Sequence, residues 1–158
     1  MANVVGRSTV AAIEPKSLLP MHLSGKPFGS KMVDYALMLL PQDSMREGIR
    51  RILQSLPDKL CNINQTRYAP VRFDPITVNI EVKPPGSGKN DAMVQLAIWV
   101  AAQFNKLNSL CEEVATVAIP LVWVEGHDWR VFIAFQRETG EFVSLASDPQ
   151  FLYIPRVN

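Results

Sequence analysis

Ile76-Thr77-Val78-Asn79-Ile80-Glu81-Val82-Lys83, closed by Pro84-Pro85-Gly86, is the stretch from which the fold can be read. Its β-branched residues alternate with polar ones and a proline pair ends the run, which is the pattern of a strand. Side chains along a strand face opposite sides with a period of two. Val78, Ile80 and Val82 therefore share one face, and Asn79, Glu81 and Lys83 share the other. On that second face a carboxylate and an amine stand two residues apart, close enough to serve one site. A carboxylate that holds a divalent cation beside a lysine that orients water is an arrangement used by metal-dependent hydrolases. The simpler reading is an ion pair on an exposed, solvated strand face, and the surrounding sequence decides between the two.

Upstream, Lys31-Met32-Val33-Asp34-Tyr35-Ala36-Leu37-Met38-Leu39-Leu40 reads as a buried strand ended by Pro41. Asp34 is a carboxylate inside that apolar run. An unpaired buried charge is costly, so Asp34 requires a partner, solvent or a cation. Ser44 with Glu47 three residues on has the form of a capping box. Met45, Ile49, Ile52, Leu53 and Leu56 follow at helical spacing until Pro57, with Arg46, Arg50 and Arg51 on a solvated outer face. Asp58 to Asp74 reads as a polar connection. Residues 1–30, rich in Pro, Gly and Ser, read as mostly irregular, with a short helix between Ser8 and Leu19 interrupted by Pro15.

Downstream, Gly86-Ser87-Gly88-Lys89 resembles a phosphate loop only superficially. That motif needs a glycine where Lys83 stands and Ser or Thr where Asn90 stands. A strand-to-helix turn is the better account. Asn90 or Asp91 can cap a helix that runs to about Leu110, apolar nearly all round and so expected against a sheet. Gln95 lies one turn into it. Val117–Val124 and Trp129–Phe135 then flank the turn Glu125-Gly126-His127-Asp128, and Glu141–Ala146 adds a shorter strand. His127-Asp128 is read as turn residues, because a histidine-rich metal site needs more than His22 and His127. There is no Gly-x-Ser-x-Gly elbow, and neither Cys61 nor Cys111 has a catalytic setting. The order of strand, helix, strand, helix and strand hairpin gives an α/β fold, a mixed β-sheet flanked by helices.

The 158 residues fit a single domain, and 47% hydrophobic with 20% charged residues is an ordinary globular composition. A formal net charge of +1 is low for a protein that binds nucleic acid chiefly through phosphates. No apolar run reaches the length of a membrane span. Met1 to Glu14 lacks the features of a signal peptide. Two cysteines suggest neither a zinc site nor a disulfide framework. An intracellular protein, nuclear or cytoplasmic and not secreted, is expected.

Asp34 on one strand, Glu81-Val82-Lys83 on another and Gln95 early in the next helix together resemble the PD-(D/E)XK nuclease superfamily, with its restriction-endonuclease-like core. Five blocks carry a closer resemblance to a fungal group of nuclease-like proteins. They are Lys31 to Tyr35, Asn64-Gln65-Thr66, Ile80 to Lys83, Gln95 to Ala102 and Val124 to Trp129. The resemblance implies that Asp34, Glu81 and the main-chain carbonyl of Val82 bind Mg²⁺, with Mn²⁺ as a substitute. It implies that Lys83 positions or activates the water that attacks a phosphodiester, and that Gln95 supports the water or the lysine. No organic cofactor is implied. Val33 stands where the name motif has proline. Members of the group continue past the last strand with further helices, so the expected alternatives are a shortened member, a fragment, or a chain that completes its fold by pairing with a second copy as a homodimer. Nucleic acid is the expected substrate. The competing expectations are a catalytically inactive interaction module and a nuclease fold repurposed for small-molecule biosynthesis, which would show an enclosed apolar pocket.

Overall fold

The computed structural model describes residues 3–8, 12–14, 16–19, 28–57, 62–87, 89–111, 117–136, 142–146 and 152–154. His22 and Cys61 lie outside them. Seven strands form one sheet in sequence order: β1 (Asn3–Ser8), β2 (Tyr35–Leu40), β3 (Ile76–Lys83), β4 (Ala118–Glu125), β5 (Asp128–Gln136), β6 (Phe142–Ala146) and β7 (Leu152–Ile154). All neighbours are antiparallel except β3 and β4. Parallel neighbours need a long crossover, which helix α2 (Lys89–Leu110) supplies. Helix α1 (Asp43–Gln54) connects β2 to the segment before β3. The result is the α/β mixed sheet expected from the sequence.

Several local expectations are corrected. The segment taken as irregular contains β1, which pairs with β2 along its whole length. Between Ser8 and Leu19 there is no helix among the described residues beyond a single 3₁₀ turn at Lys16–Leu18. Ile13 instead forms a bridge to Thr66. β2 begins at Tyr35, so Lys31 to Asp34 precede the strand, and Asp34 is exposed at its mouth. Helix α1 starts at Asp43 after Gln42, with no side-chain cap, which puts Ser44 inside the first turn and dissolves the capping box. Ile49 and Leu53 are the buried residues of α1, while Met45 and Ile52 are exposed. Arg46 does not simply face solvent: it reaches Asp74 at 2.7 Å and ties α1 to the turn before β3. Arg50 and Arg51 pair loosely with Glu47 on the surface.

The β4–β5 hairpin turns on Gly126 and His127, with Glu125 paired to Asp128. Gly126 has φ +60 and no non-glycine residue described has positive φ, which is the pattern of a type II′ turn. Only glycine takes that φ without strain.

The main core lies between α2 and one face of the sheet. Ala36, Met38, Leu121, Trp123, Phe132 and Ala134 from the strands meet Leu96, Trp99, Ala101 and Phe104 from the helix. Small residues Ala92, Ala101 and Ala102 let the helix approach closely, and each large side chain buried there contributes about 1.5–3 kcal/mol. Leu37 pairs with Val78 but Met38 with Ile76, so Thr77 is an extra residue on β3. That bulge turns Ile76 onto the core side, against its alternation with Val78. The opposite face of β2 to β5 is different. Tyr35, Ile80, Val122 and Val131 form a row across it, and Val82, Val124 and Trp129 form the next. No charged residue stands on that face, yet Trp129 is 66% exposed, Val131 51% and Tyr35 49%.

Candidate active site

Asn79, Glu81 and Lys83 do alternate onto one face, but it is the face under α2, not an exposed one. Asn79 and Glu81 are buried, and the apolar row of Val78, Ile80 and Val82 is the more open. The solvated ion pair of the simpler reading is therefore absent. A strand places its polar row inside only when each polar group there has a partner or a task.

β2 runs antiparallel to β3 with Tyr35 opposite Ile80, so one step further out Asp34 comes beside Glu81. The link is direct: the Val82 backbone N–H donates to Asp34 Oδ2 at 2.8 Å, across 48 positions of sequence. Lys83 Nζ stands 2.6 Å from Glu81 Oε1 and donates to Gln95 Oε1 at 2.7 Å. Gln95 Nε2 in turn donates to the Met32 carbonyl at 3.3 Å, spanning from α2 back to the segment that carries Asp34. Asp34, Glu81, Lys83 and Gln95 are thus joined in one cluster at the C-terminal end of β3.

Glu81 is the unusual member. It is 1% exposed, and its Oε2 has no hydrogen-bond partner among the described residues. Burial pushes its carboxyl above the usual value near 4.5, and the neighbouring Asp34 charge adds to the effect. The Lys83 hydrogen bond and charge and an Asp34 backbone hydrogen bond oppose it without cancelling it. A buried carboxylate oxygen left open next to a second carboxylate is a place that a cation would satisfy. Asp34, Glu81 Oε2 and the Val82 carbonyl are an all-oxygen donor set, the kind that hard divalent cations take. Among the described residues no group of three or more His, Cys, Asp or Glu forms a metal cluster.

Behind the cluster lies a network that the sequence reading missed. Trp99 Nε1 donates to Asn79 Oδ1 at 2.8 Å, and Asn79 Nδ2 donates to Gln103 Oε1 at 2.8 Å. Gln103 Nε2 closes on the Ile76 carbonyl at 2.7 Å. The signal for it was present: Gln95, Trp99 and Gln103 recur every four residues along the largely apolar stretch from Ala92 to Phe104. Asn64, read as part of a polar connection, is also buried. Its Nδ2 donates to the carbonyls of Val71 (2.6 Å) and Asp74 (3.1 Å), and its Oδ1 accepts from the Ile76 N–H (2.8 Å). It fixes the point where β3 begins.

A cavity of about 270 Å³ lies at the opposite end of β3, lined by Ile63, Asn64, Ile76, Gln103, Leu107 and Ile119 among others. Its asparagine and glutamine are already fully engaged with backbone and Asn79. His127 is exposed at the hairpin turn, and Cys111 is exposed and free. No helix among the described residues is long and apolar enough to cross a membrane. Comparison with curated proteins and with solved structures gives no match. Comparison with protein-family models matches residues 1–150 to the model described as the PD-(D/E)XK nuclease superfamily.

Proposed function

The chain belongs to the PD-(D/E)XK nuclease superfamily, and on that premise we propose that it is a metal-dependent nuclease that hydrolyses phosphodiester bonds of nucleic acid with water. The observation that carries the reading is the open Oε2 of a buried Glu81, beside Asp34 and in line with Lys83. Asp34, Glu81 and the Val82 carbonyl would hold Mg²⁺, or Mn²⁺ in its place. The bound cation supplies polarisation of the phosphate and stabilisation of its developing charge. Lys83, steadied by Glu81 and Gln95, orients the attacking water. The water oxygen bonds to phosphorus and gives up one proton to solvent, the bond to the leaving oxygen breaks, and that oxygen takes up a proton from solvent.

The fungal group, the nuclear or cytoplasmic location and a homodimer are parts of the same proposal. The charge-free sheet face with exposed Tyr35, Val131 and Trp129 supports the homodimer, since apolar patches of this kind usually mark interaction sites. The same face favours a second reading, an inactive interaction module that keeps the fold. Incubation of single- and double-stranded DNA and RNA with the wild type and with Glu81→Ala in Mg²⁺ separates the two. A cut that requires Mg²⁺ and disappears in Glu81→Ala supports the nuclease. Absence of any cut across these substrates, with partner binding retained by Glu81→Ala, overturns it.

A further inference from the structure

We propose that Asn79 is a positioning residue for this site: through Trp99 and Gln103 it sets where α2 lies along β3, and so where Gln95 meets Lys83. Asn79 is fully buried, and both polar atoms of its side chain are used, one by each helix residue. Trp99 is 0% exposed and Gln103 5%. The two elements match in pitch. Residues four apart on a helix rise about 6 Å, and residues two apart on a strand about 6.6 Å. From Gln95 to Gln103 the helix advances about 12 Å, while from Lys83 back to Asn79 the strand covers about 13 Å. A polar stripe on α2 can therefore stay opposite the polar row of β3 over its whole length, with Lys83 on Gln95 at one end and Asn79 on Trp99 and Gln103 at the other.

Apolar packing alone would not fix that alignment. Burial of apolar area has no direction, so the packing of α2 does not by itself specify which polar groups meet. A shift of α2 along β3 by less than a turn would part Asn79 from Trp99 and Gln103 and leave buried polar groups without partners, which is heavily penalised. Glu81 falls between the two anchored pairs, where among the described residues no side-chain donor from α2 reaches its Oε2. The alignment that places Gln95 on Lys83 also leaves that oxygen open. The kinetic consequence rests on the nuclease reading; the positional claim does not.

The test uses the full chain carrying Asn79→Leu, which keeps size and removes both polar atoms, with Gln95→Ala and the double variant. Trp99→Phe, which deletes one hydrogen bond, serves if Asn79→Leu fails to fold. The first readout is the nitrogen–proton spectrum of the Gln95 side-chain amide. In Asn79→Leu it is expected to move to the shift and exchange rate of a solvated glutamine. Mn²⁺ affinity by calorimetry should change less than about two-fold, because the proposed ligands sit on β2 and β3, whereas a misplacement of the ångström scale should slow single-turnover cleavage by about 10–100-fold. The double variant should be no slower than Gln95→Ala alone. An unmoved Gln95 amide, or rate losses that multiply in the double variant, overturns the proposal. A wild type that binds no Mn²⁺ and cuts nothing defeats the nuclease reading instead, while the amide signal still decides the positioning claim.

Discussion

Replacing Lys83 by methionine should reveal how strongly Glu81 depends on it. The lysine side chain is 21% exposed and that of the glutamate 2%, so the substitution leaves a nearly buried carboxylate without a counter-charge. Removing one partner of a fully buried pair costs about 3–5 kcal/mol. Lys83 is partly open and Gln95 can turn toward solvent, so about 2–3 kcal/mol is the expected loss at pH 8. At about 2–4 °C per kcal/mol for a chain of this size, Tm should fall by about 4–12 °C. The pH dependence has a definite sign. The Glu81 carboxyl is raised in the folded protein, so the folded state holds its proton more tightly than the unfolded chain does. That contribution to stability is complete below the unfolded value near 4.5 and is lost as pH rises through the folded value. Without Lys83 the folded value moves further up, so the variant should differ little from wild type near pH 4.5 and most at pH 8. Urea unfolding at the two pH values measures this. Adding Glu81→Gln removes the stranded charge, and the double variant should lie within about 1 kcal/mol of Glu81→Gln alone. An equal loss at both pH values, or additive losses in the double variant, would refute the reasoning.

Two further outcomes are expected. Asn64→Ala leaves three buried backbone groups without their partner at the start of β3 and should cost about 3–5 kcal/mol in urea unfolding, given about 1–3 kcal/mol for each orphaned group and some recovery by water. A loss under about 1 kcal/mol would mean that the connection repacks freely. The wild type should run as a dimer by light scattering at micromolar concentration, and Trp129→Glu with Val131→Lys should run as a folded monomer; a wild type that is already monomeric at that concentration removes the homodimer.

The central elements were legible because periodicity reports them directly. β3 alternates, α2 carries a largely apolar stretch from Ala92 to Phe104, and Glu125 to Asp128 carries its hairpin turn in its glycine. Periodicity divides a strand into two faces but does not say which one is covered. The valine-rich row of β3 would ordinarily point to the core, yet the row with Asn79 and Glu81 lies there. Its burial becomes acceptable only through Trp99, Gln103, Lys83 and Gln95, from α2 and from β3 itself, and partners between elements are invisible to a window of one strand. β1 was missed because Asn-Val-Val-Gly-Arg-Ser has a weak strand pattern and is held by its pairing with β2. The three residues of β7 are too short for any period. Helix α1 was found, but its start was displaced: Ser44 and Glu47 have capping-box spacing, while the chain turns into the helix two residues earlier, after Gln42. Asp34 stood out as a charge in an apolar run, and the resemblance linked it with Glu81; the antiparallel register of β2 and β3 is what brings them side by side.

The most direct test of the account is a titration of Mg²⁺ or Mn²⁺ into the wild type and Glu81→Ala, followed by calorimetry and by Tm. For a site with Kd near 1 mM, metal at about 10 mM should add about 1.4 kcal/mol, or about 3–6 °C in Tm. Because the Glu81 carboxyl is raised, that gain should shrink as pH falls toward 4.5. The account predicts a shift in the wild type and none in Glu81→Ala. No shift in the wild type, or an equal shift in both, would contradict it.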